Sequence, residues 1–137
     1  MAQVIDSEND TREFFLGLQK VSTTLTLCET APDQFGISYD SSYSGIYSGH
    51  NAGGPITVSQ NGSWKVNDNP TITVSVSNYS DDKSNRQVSM HANINVDIIG
   101  VGTIYDKTLG GRYGIDTMKE LDEAISRHRQ RSELARS

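Results

Sequence analysis

The sequence predicts an α+β fold: an antiparallel β-sheet of about five to seven strands, with a short N-terminal helix and a long C-terminal helix packed on one face or on a partner subunit. Residues 88–98 alternate apolar and polar side chains without a break, and residues 71–77 do the same. This alternation is typical of strands with one buried face. Apolar residues at helical spacing occur over 11–21 and 116–135. A length of 137 residues fits a single domain, 1–137.

The predicted N-terminal helix spans residues 11–21. Asp10 fits a cap position, and Glu13 follows it at the spacing of a capping box. An apolar stripe at helical spacing follows, made of Phe14, Phe15, Leu18 and Val21. These residues would form one buried face of the helix.

The predicted sheet region spans residues 24–113. Residues 24–28 switch to period two and predict the first strand. Residues 29–55 lose the pattern among Tyr, Ser and Gly, so we expect a long loop there with a short strand at 36–39. The pair Asn61-Gly62, flanked by short apolar segments, predicts a tight hairpin.

The rest of the sheet centres on a second hairpin. Strands over 71–78 and 86–99 are joined by a loop rich in Ser, Asn and Asp. Residues 102–113 are a further strand candidate, interrupted by a turn at Gly110-Gly111. Paired antiparallel, the two central strands would bury one face and expose a face of hydroxyls and amides.

The predicted C-terminal helix spans residues 116–135, with Asp116 as its cap. Its apolar stripe finds little else in the chain to bury it. An apolar content of 34% also favours a core completed by a partner chain. The predicted oligomer interface is therefore Met118, Leu121 and Ile125.

Composition narrows the classes of function. A formal net charge of −5 lacks the basic surplus common in nucleic-acid-binding proteins. No apolar run approaches the length of a membrane span, and Met1–Asp10 lacks the features of a signal peptide. We therefore expect a cytoplasmic protein with no membrane partner. The single cysteine, Cys28, fits a buried thiol in an apolar strand.

Catalytic and metal-binding patterns are missing. Gly45-Ile-Tyr-Ser-Gly49 places its serine one position too late for a hydrolase nucleophile elbow. The three histidines, His50, His91 and His128, lack the spacing of a zinc motif. These observations predict a non-enzymatic protein with no cofactor and no metal, although a site assembled from distant positions stays open as an alternative.

Tyrosines in the 29–55 loop predict a second type of site. Rigid aromatic rings among Ser, Gly and Asn are typical of recognition loops. The candidate ligand-binding residues are Tyr39, Tyr43 and Tyr47. The competing interpretation is that the same rings fold back onto the sheet.

The central hairpin resembles that of single-stranded-RNA bacteriophage coat proteins. The resemblance is carried by Thr71-Ile-Thr-Val-Ser-Val-Ser77, a polar loop, Asn85-Arg-Gln-Val88 and the long alternating strand that follows. Residues 24–27 (Thr-Leu-Thr-Leu) match the first strand of that family, and a helix from Asp116 matches its C-terminal helical region. The resemblance covers about residues 24–128.

The resemblance implies a dimer with a continuous sheet, assembly into a virion shell in the host cytoplasm, and contact between one sheet face and RNA. The implied RNA-binding residues are Thr71, Thr73, Ser75, Ser77, Arg86, Ser89, His91, Asn93 and Asn95. Only Lys65, Lys83 and Arg86 are basic residues near this face. Hydroxyl and amide groups can hydrogen-bond phosphates, riboses and exposed bases.

The sequence therefore supports two leading hypotheses. The first is a non-enzymatic, self-assembling viral coat protein that associates with itself and contacts RNA. The alternative is a monomeric β-sandwich module that binds a glycan or small polar ligand through its Tyr/Ser/Gly-rich loop.

Overall fold

The computed structural model of the chain describes residues 3–98, 101–114, 125–126 and 128–130. Nearly all of these residues lie in eight strands, which form two four-stranded antiparallel sheets. The predicted α+β fold with one sheet is therefore wrong, and the described chain is almost entirely antiparallel β structure.

Each sheet is a meander in which strands adjacent in sequence are neighbours in space. The first sheet consists of β1 (Gln3–Phe14), β2 (Gln19–Ala31), β3 (Gln34–Gly45) and β4 (Gly49–Val58). The second sheet consists of β5 (Gly62–Asp68), β6 (Thr71–Asp82), β7 (Gln87–Ile98) and β8 (Val101–Arg112).

The sheets pack face to face around one hydrophobic core, because each strand of a central pair turns alternate side chains inward. The first sheet contributes Val21, Leu25, Leu27, Phe35, Ile37, Tyr39 and Val58. The second sheet contributes Ile72, Val74, Val76, Val88, Met90, Ala92, Ile94, Val96, Ile98, Tyr105 and Leu109. Within the described residues, every buried side-chain nitrogen and oxygen has a hydrogen-bond partner.

One lateral side of the sandwich is fastened by side chains, where β1 runs beside β8. Tyr105 Oη donates a hydrogen bond of 2.7 Å to the carbonyl oxygen of Val21, which is buried in the first sheet. The backbone N–H of Gly110 donates to Asp6 Oδ2 at 3.0 Å. On the other side, β4 and β5 are the outer strands of their sheets, and the pairing of each with its neighbour is irregular at one point.

The predicted N-terminal helix over 11–21 is wrong. The segment is the end of β1, a turn, and the start of β2, with Glu13 opposite Lys20 in the ladder. Phe14 and Val21 pack inward from the two strands, whereas Phe15 and Leu18 are exposed in the turn. In this hairpin, apolar residues on two strands and in the turn between them have the same sequence spacing as the apolar face of a helix. The spacing alone therefore does not distinguish the two structures.

The predicted loop over 29–55 is also wrong, since β3 and β4 occupy most of it. Small serines and glycines between the inward residues disguised the alternation. Asn61-Gly62 does not close a hairpin, because β4 and β5 belong to different sheets. Residues 59–61 instead carry the chain from one layer to the other.

Gly110-Gly111 does not interrupt the last strand, since β8 runs through both glycines. The central hairpin, in contrast, is confirmed: β6 and β7 pair antiparallel, with Val74 opposite Ile94 and both buried.

The long C-terminal helix over 116–135 is not part of the described fold, which holds no helix of seven or more residues. Residues 125–126 and 128–130 are helical, and the other positions of the predicted helix lie outside the described residues. No helix in the described part of the chain is long and apolar enough to cross a membrane.

Candidate functional site on the second sheet

The outward face of the second sheet gathers all but one of the side chains predicted to contact RNA. Inward-pointing Val74 and Ile94 fix the phase of β6 and β7, so the residues on either side of each point outward. We call this surface the polar face. It comprises Ser63, Lys65, Thr71, Thr73, Ser75, Ser77, Ser89, His91, Asn93, Asn95, Asp97, Asp106 and Thr108.

The register of the sheet places these side chains in rows across the strands. In one row, Ser63 of β5 lies opposite Ser75, which lies opposite Asn93, which lies opposite Asp106 of β8. A second row places Lys65, Thr73 and Asn95 opposite one another, and a third places Ser77, His91 and Thr108 opposite one another. A row of four short polar side chains at strand spacing gives a flat, regular array of hydrogen-bonding groups.

Hydrogen bonds within the rows hold these groups in place. The hydroxyls of Ser63 and Ser75 are 3.0 Å apart, and His91 Nδ1 lies 3.2 Å from Thr108 Oγ1. Asn93 Nδ2 donates to Asp106 Oδ1. The face is thus partly self-satisfied, and each group keeps further donors or acceptors for a partner.

The charge on the polar face is small and slightly negative. Lys65 is the lysine on the face, and its Nζ lies 2.6 Å from Asp68 Oδ1. Asp97 and Asp106 are both exposed, and His91 Nε2 is 3.7 Å from the carboxylate of Asp106. Two carboxylates against one lysine give the face no net attraction for phosphate groups. Any RNA contact here would depend on hydrogen bonds to bases and riboses.

Arg86 is the predicted RNA-binding residue that lies elsewhere. It occupies the turn between β6 and β7 in a left-handed conformation, with φ of 53°. Its guanidinium carbon is 5.8 Å from the centre of the Tyr113 ring, within cation–π range. Arg86 therefore packs against the end of the sandwich beyond the polar face.

The structure does not bring the three predicted ligand-binding tyrosines together. Tyr39 is buried, and its hydroxyl donates to Asn51 Oδ1 at 3.3 Å. The rings of Tyr39 and Tyr43 lie over Gly53 and Gly49, where an added Cβ would come within 2.9 Å and 2.6 Å of the respective ring hydroxyls. Only Tyr47, in the turn after β3, is exposed.

Two of the three predicted oligomer-interface residues, Met118 and Leu121, lie outside the described residues. Ile125 is helical and 42% exposed. The sequence patterns missed a larger exposed apolar surface, formed by the turns that follow β1 and β3. We call it the turn cluster: Phe15, Leu16, Leu18, Ile46 and Tyr47.

Among the residues that the structure describes, no group of three His, Cys, Asp or Glu side chains could hold a metal ion. Cys28 is buried, and burial raises the pKa of its thiol, which suits a packing role. An open depression of about 460 Å³ at the end of β5 is lined by the polar segment Lys65–Asn69. No histidine, serine or cysteine lines it, and its two charged side chains, Lys65 and Asp68, are paired with each other.

No protein-family model matches the sequence, and neither a curated protein nor a solved structure was found to be similar to the chain.

Proposed function

We propose that this chain is a non-enzymatic, self-assembling structural protein of the viral coat class, located in the virion, whose polar face contacts RNA. The observation that carries the proposal is the gathering of hydroxyl, amide and imidazole groups on one open sheet face. These groups suit the edges of unpaired bases and the 2′-hydroxyls of riboses.

The electrostatics of the polar face define how such a contact would work. Proteins that bind nucleic acid through many phosphate contacts lose affinity steeply as salt rises, because each contact releases a counterion. With Lys65 already paired to Asp68, the polar face offers few such contacts. We therefore expect an RNA affinity that is modest and only weakly dependent on salt concentration.

The alternative glycan-binding module has less support. The described chain is a β-sandwich, as that hypothesis requires, but Tyr39 and Tyr43 turn into the sandwich and cannot stack on a ligand. Tyr47 alone would give a single aromatic contact.

The first test measures the solution mass of the full chain by light scattering, with absorbance at 260 and 280 nm on the same peak. The proposal expects a large particle that carries nuclease-sensitive RNA. A particle without nucleic acid would contradict the RNA contact, and a monomer of 15.0 kDa would contradict assembly.

A second test assigns the contact to the polar face, using binding of a fluorescent single-stranded RNA. His91→Ala with Asn93→Ala should weaken binding about five- to tenfold, since two sets of hydrogen bonds are lost. Asp97→Asn with Asp106→Asn should strengthen it, because two repelling charges are removed.

The matched control is Ser22→Ala with Thr24→Ala, which also removes two outward polar side chains two positions apart, but from the first sheet. If the control lost as much RNA affinity as the His91/Asn93 variant, the binding would not be specific to the polar face, and the proposal would fail.

A further inference from the structure

At one end of the first sheet, the turn cluster exposes large apolar side chains to solvent, whereas proteins usually bury such side chains. Leu16 is 106% exposed, and Leu18 and Ile46 are more than 60% exposed. Gln19, which hydrogen-bonds the turn after β3, is almost completely buried, and so is Ser41 further along β3. Exposed apolar groups of this size, gathered in one place, mark contact surfaces more often than chance exposure.

The backbone holds this cluster outward at some conformational cost. Phe15 and Leu16 have φ of 53° and 56°, a left-handed region that bulky side chains rarely adopt. Asn-Gly is the usual choice for such a turn. Both positions carry large apolar side chains at the tip of the turn, where Phe15 is 45% exposed and Leu16 is fully exposed.

The two turns are also fastened to each other. Gln19 Nε2 donates to the carbonyl oxygen of Tyr47 at 3.0 Å, and the backbone N–H of Tyr47 donates to Gln19 Oε1 at 3.2 Å. The buried Gln19 side chain donates one of these hydrogen bonds and accepts the other. It therefore joins the turn after β1 and the turn after β3 into one surface.

The size of the surface favours a contact between two copies. Its five exposed side chains offer about 600 Å² if each fully exposed side chain has about 150–200 Å². Two such surfaces in contact would bury about 1,200 Å², the lower limit for a specific protein–protein interface. A single contact of this size is weak. Weak individual contacts suit a particle that is held together by many of them.

The charges beside the cluster also favour a second copy. Glu13 and Lys20 lie on opposite strands at the base of the turn, both exposed, and neither forms an ion pair within the described part of the chain. A two-fold axis through the tip can place Glu13 of each copy near Lys20 of the other. This balanced pair gives no attraction for an anionic membrane surface, which prefers a cluster of cations.

We propose that two copies of this chain contact each other through the turn cluster, with the same five residues on each copy. The inference rests on the proposed self-assembly, for which it names the contact, but it does not depend on RNA. The contact is isologous, so it closes after two copies and joins larger assemblies only through other surfaces.

The test is sedimentation velocity on nuclease-treated, RNA-free full-length protein over a concentration series. The wild type should show a concentration-dependent dimer. Leu16→Asp with Ile46→Asp should weaken dimerisation at least about tenfold, because each apolar side chain would be replaced by a charge in the contact. Aspartate tolerates positive φ, so the turn after β1 should keep its conformation.

The control is Val4→Asp, which puts the same charge on an exposed apolar residue near the other end of β1. It should leave the dimer unchanged. Thermal melts should show that all variants remain folded. A wild type that stays monomeric, a Leu16/Ile46 variant that still dimerises, or a Val4 variant that also dissociates would overturn the inference.

Flotation with phosphatidylcholine vesicles, with and without phosphatidylserine, tests a lipid surface as the occupant. If the wild type bound vesicles and the Leu16/Ile46 variant did not, the turn cluster would be a lipid-binding surface, and the proposed contact between two copies would be overturned. Loss of RNA binding with dimerisation intact would contradict only the RNA contact, so the two proposals can fail separately.

Discussion

The two sheets have the same meander topology but fill their inward faces differently. The second sheet lines its side of the core with an apolar side chain at every inward position of residues 72–76 and 88–98. The first sheet begins in the same way near Leu27 and Ile37, and then turns polar toward its turn end. There Thr23 and Ser41 pair their hydroxyls, which are 3.1 Å apart, inside the sandwich.

The outward faces of both sheets are polar, with Ser22 and Thr24 on that of the first, so the sheets differ in where they expose apolar side chains. The second sheet is apolar inside and polar outside, as a stable platform for a hydrated contact should be. At the turn end of the first sheet, polar Thr23 and Ser41 are buried together with apolar Val21. The turns beyond them expose Leu16 and Ile46. We therefore expect the free energy of unfolding to depend more on the core of the second sheet, and self-association to depend more on the turns of the first.

The largest expected effect tests where stability lies. Ile94→Ala should lower the free energy of unfolding by about 3–5 kcal/mol, because Ile94 is fully buried between β6 and β8. Ser41→Ala, equally buried in the first sheet, should cost only about 1–2 kcal/mol through the unpaired hydroxyl of Thr23. Urea denaturation measures both. Similar losses would remove the proposed difference between the sheets.

The next effect tests the strained turn. Phe15→Asn with Leu16→Gly should raise the free energy of unfolding by about 1–2 kcal/mol, because these residues suit positive φ. The same variant should lose self-association. Leu18→Asn is the control, since Leu18 is exposed but not among the positive-φ residues, and it should not be stabilising. If both variants gave the same stability, strain in this turn would have no measurable effect.

The smallest effect tests the fastening between the sheets. Burial, and then the charge of Asp10, raises the pKa of Tyr105 from 10.0 to about 12. The neutral phenol is therefore favoured in the folded state. Its contribution to stability should be complete below pH 10 and should be lost as pH rises toward 12.

Tyr105→Phe should make the urea midpoint less dependent on pH across that interval, and Tyr47→Phe in the exposed turn should not. Tyr113 will contribute a similar slope, since its hydrogen bond to Asp81 and its burial also raise its pKa to about 12. If the urea midpoint of Tyr105→Phe depended on pH as strongly as that of the wild type, the Tyr105 hydroxyl would not be buried and neutral between the sheets.

The second sheet was predictable because its alternation is complete. From Val88 to Ile98 every inward position is apolar and every outward position polar, so period two has no competitor. The same phase correctly placed eight of the nine implied RNA-contact residues on one face, while Arg86 fell in a turn.

Of the first sheet, the same rule found the core of β2, since the predicted strand over 24–28 lies within Gln19–Ala31. The other strands were missed because their apolar alternation is incomplete. In β1 the inward and outward residues are almost all polar. In β3, Phe35, Ile37 and Tyr39 do alternate, but Ser41 continues the inward row and hides its length. Counting Ser as a neutral position would have extended that strand.

The turn cluster could not be found from spacing alone. Phe15 and Leu18 lie at helical spacing, and the sequence contains no signal that two bulky residues accept positive φ. The partnership between Gln19 and Tyr47 joins residues 28 positions apart, which requires the strand register to be known.

The outer strands limit how copies of this chain can add to one another. Along β4, Gly49, Gly53 and Gly54 supply no side chains to interdigitate, and Pro55 has no N–H to donate. Along β5, a charged Lys65 sits beside the register shift. Neither strand is a good template for another β-strand, so endless cross-β stacking into fibrils is disfavoured. Concentrated protein should therefore form bounded particles more readily than amyloid.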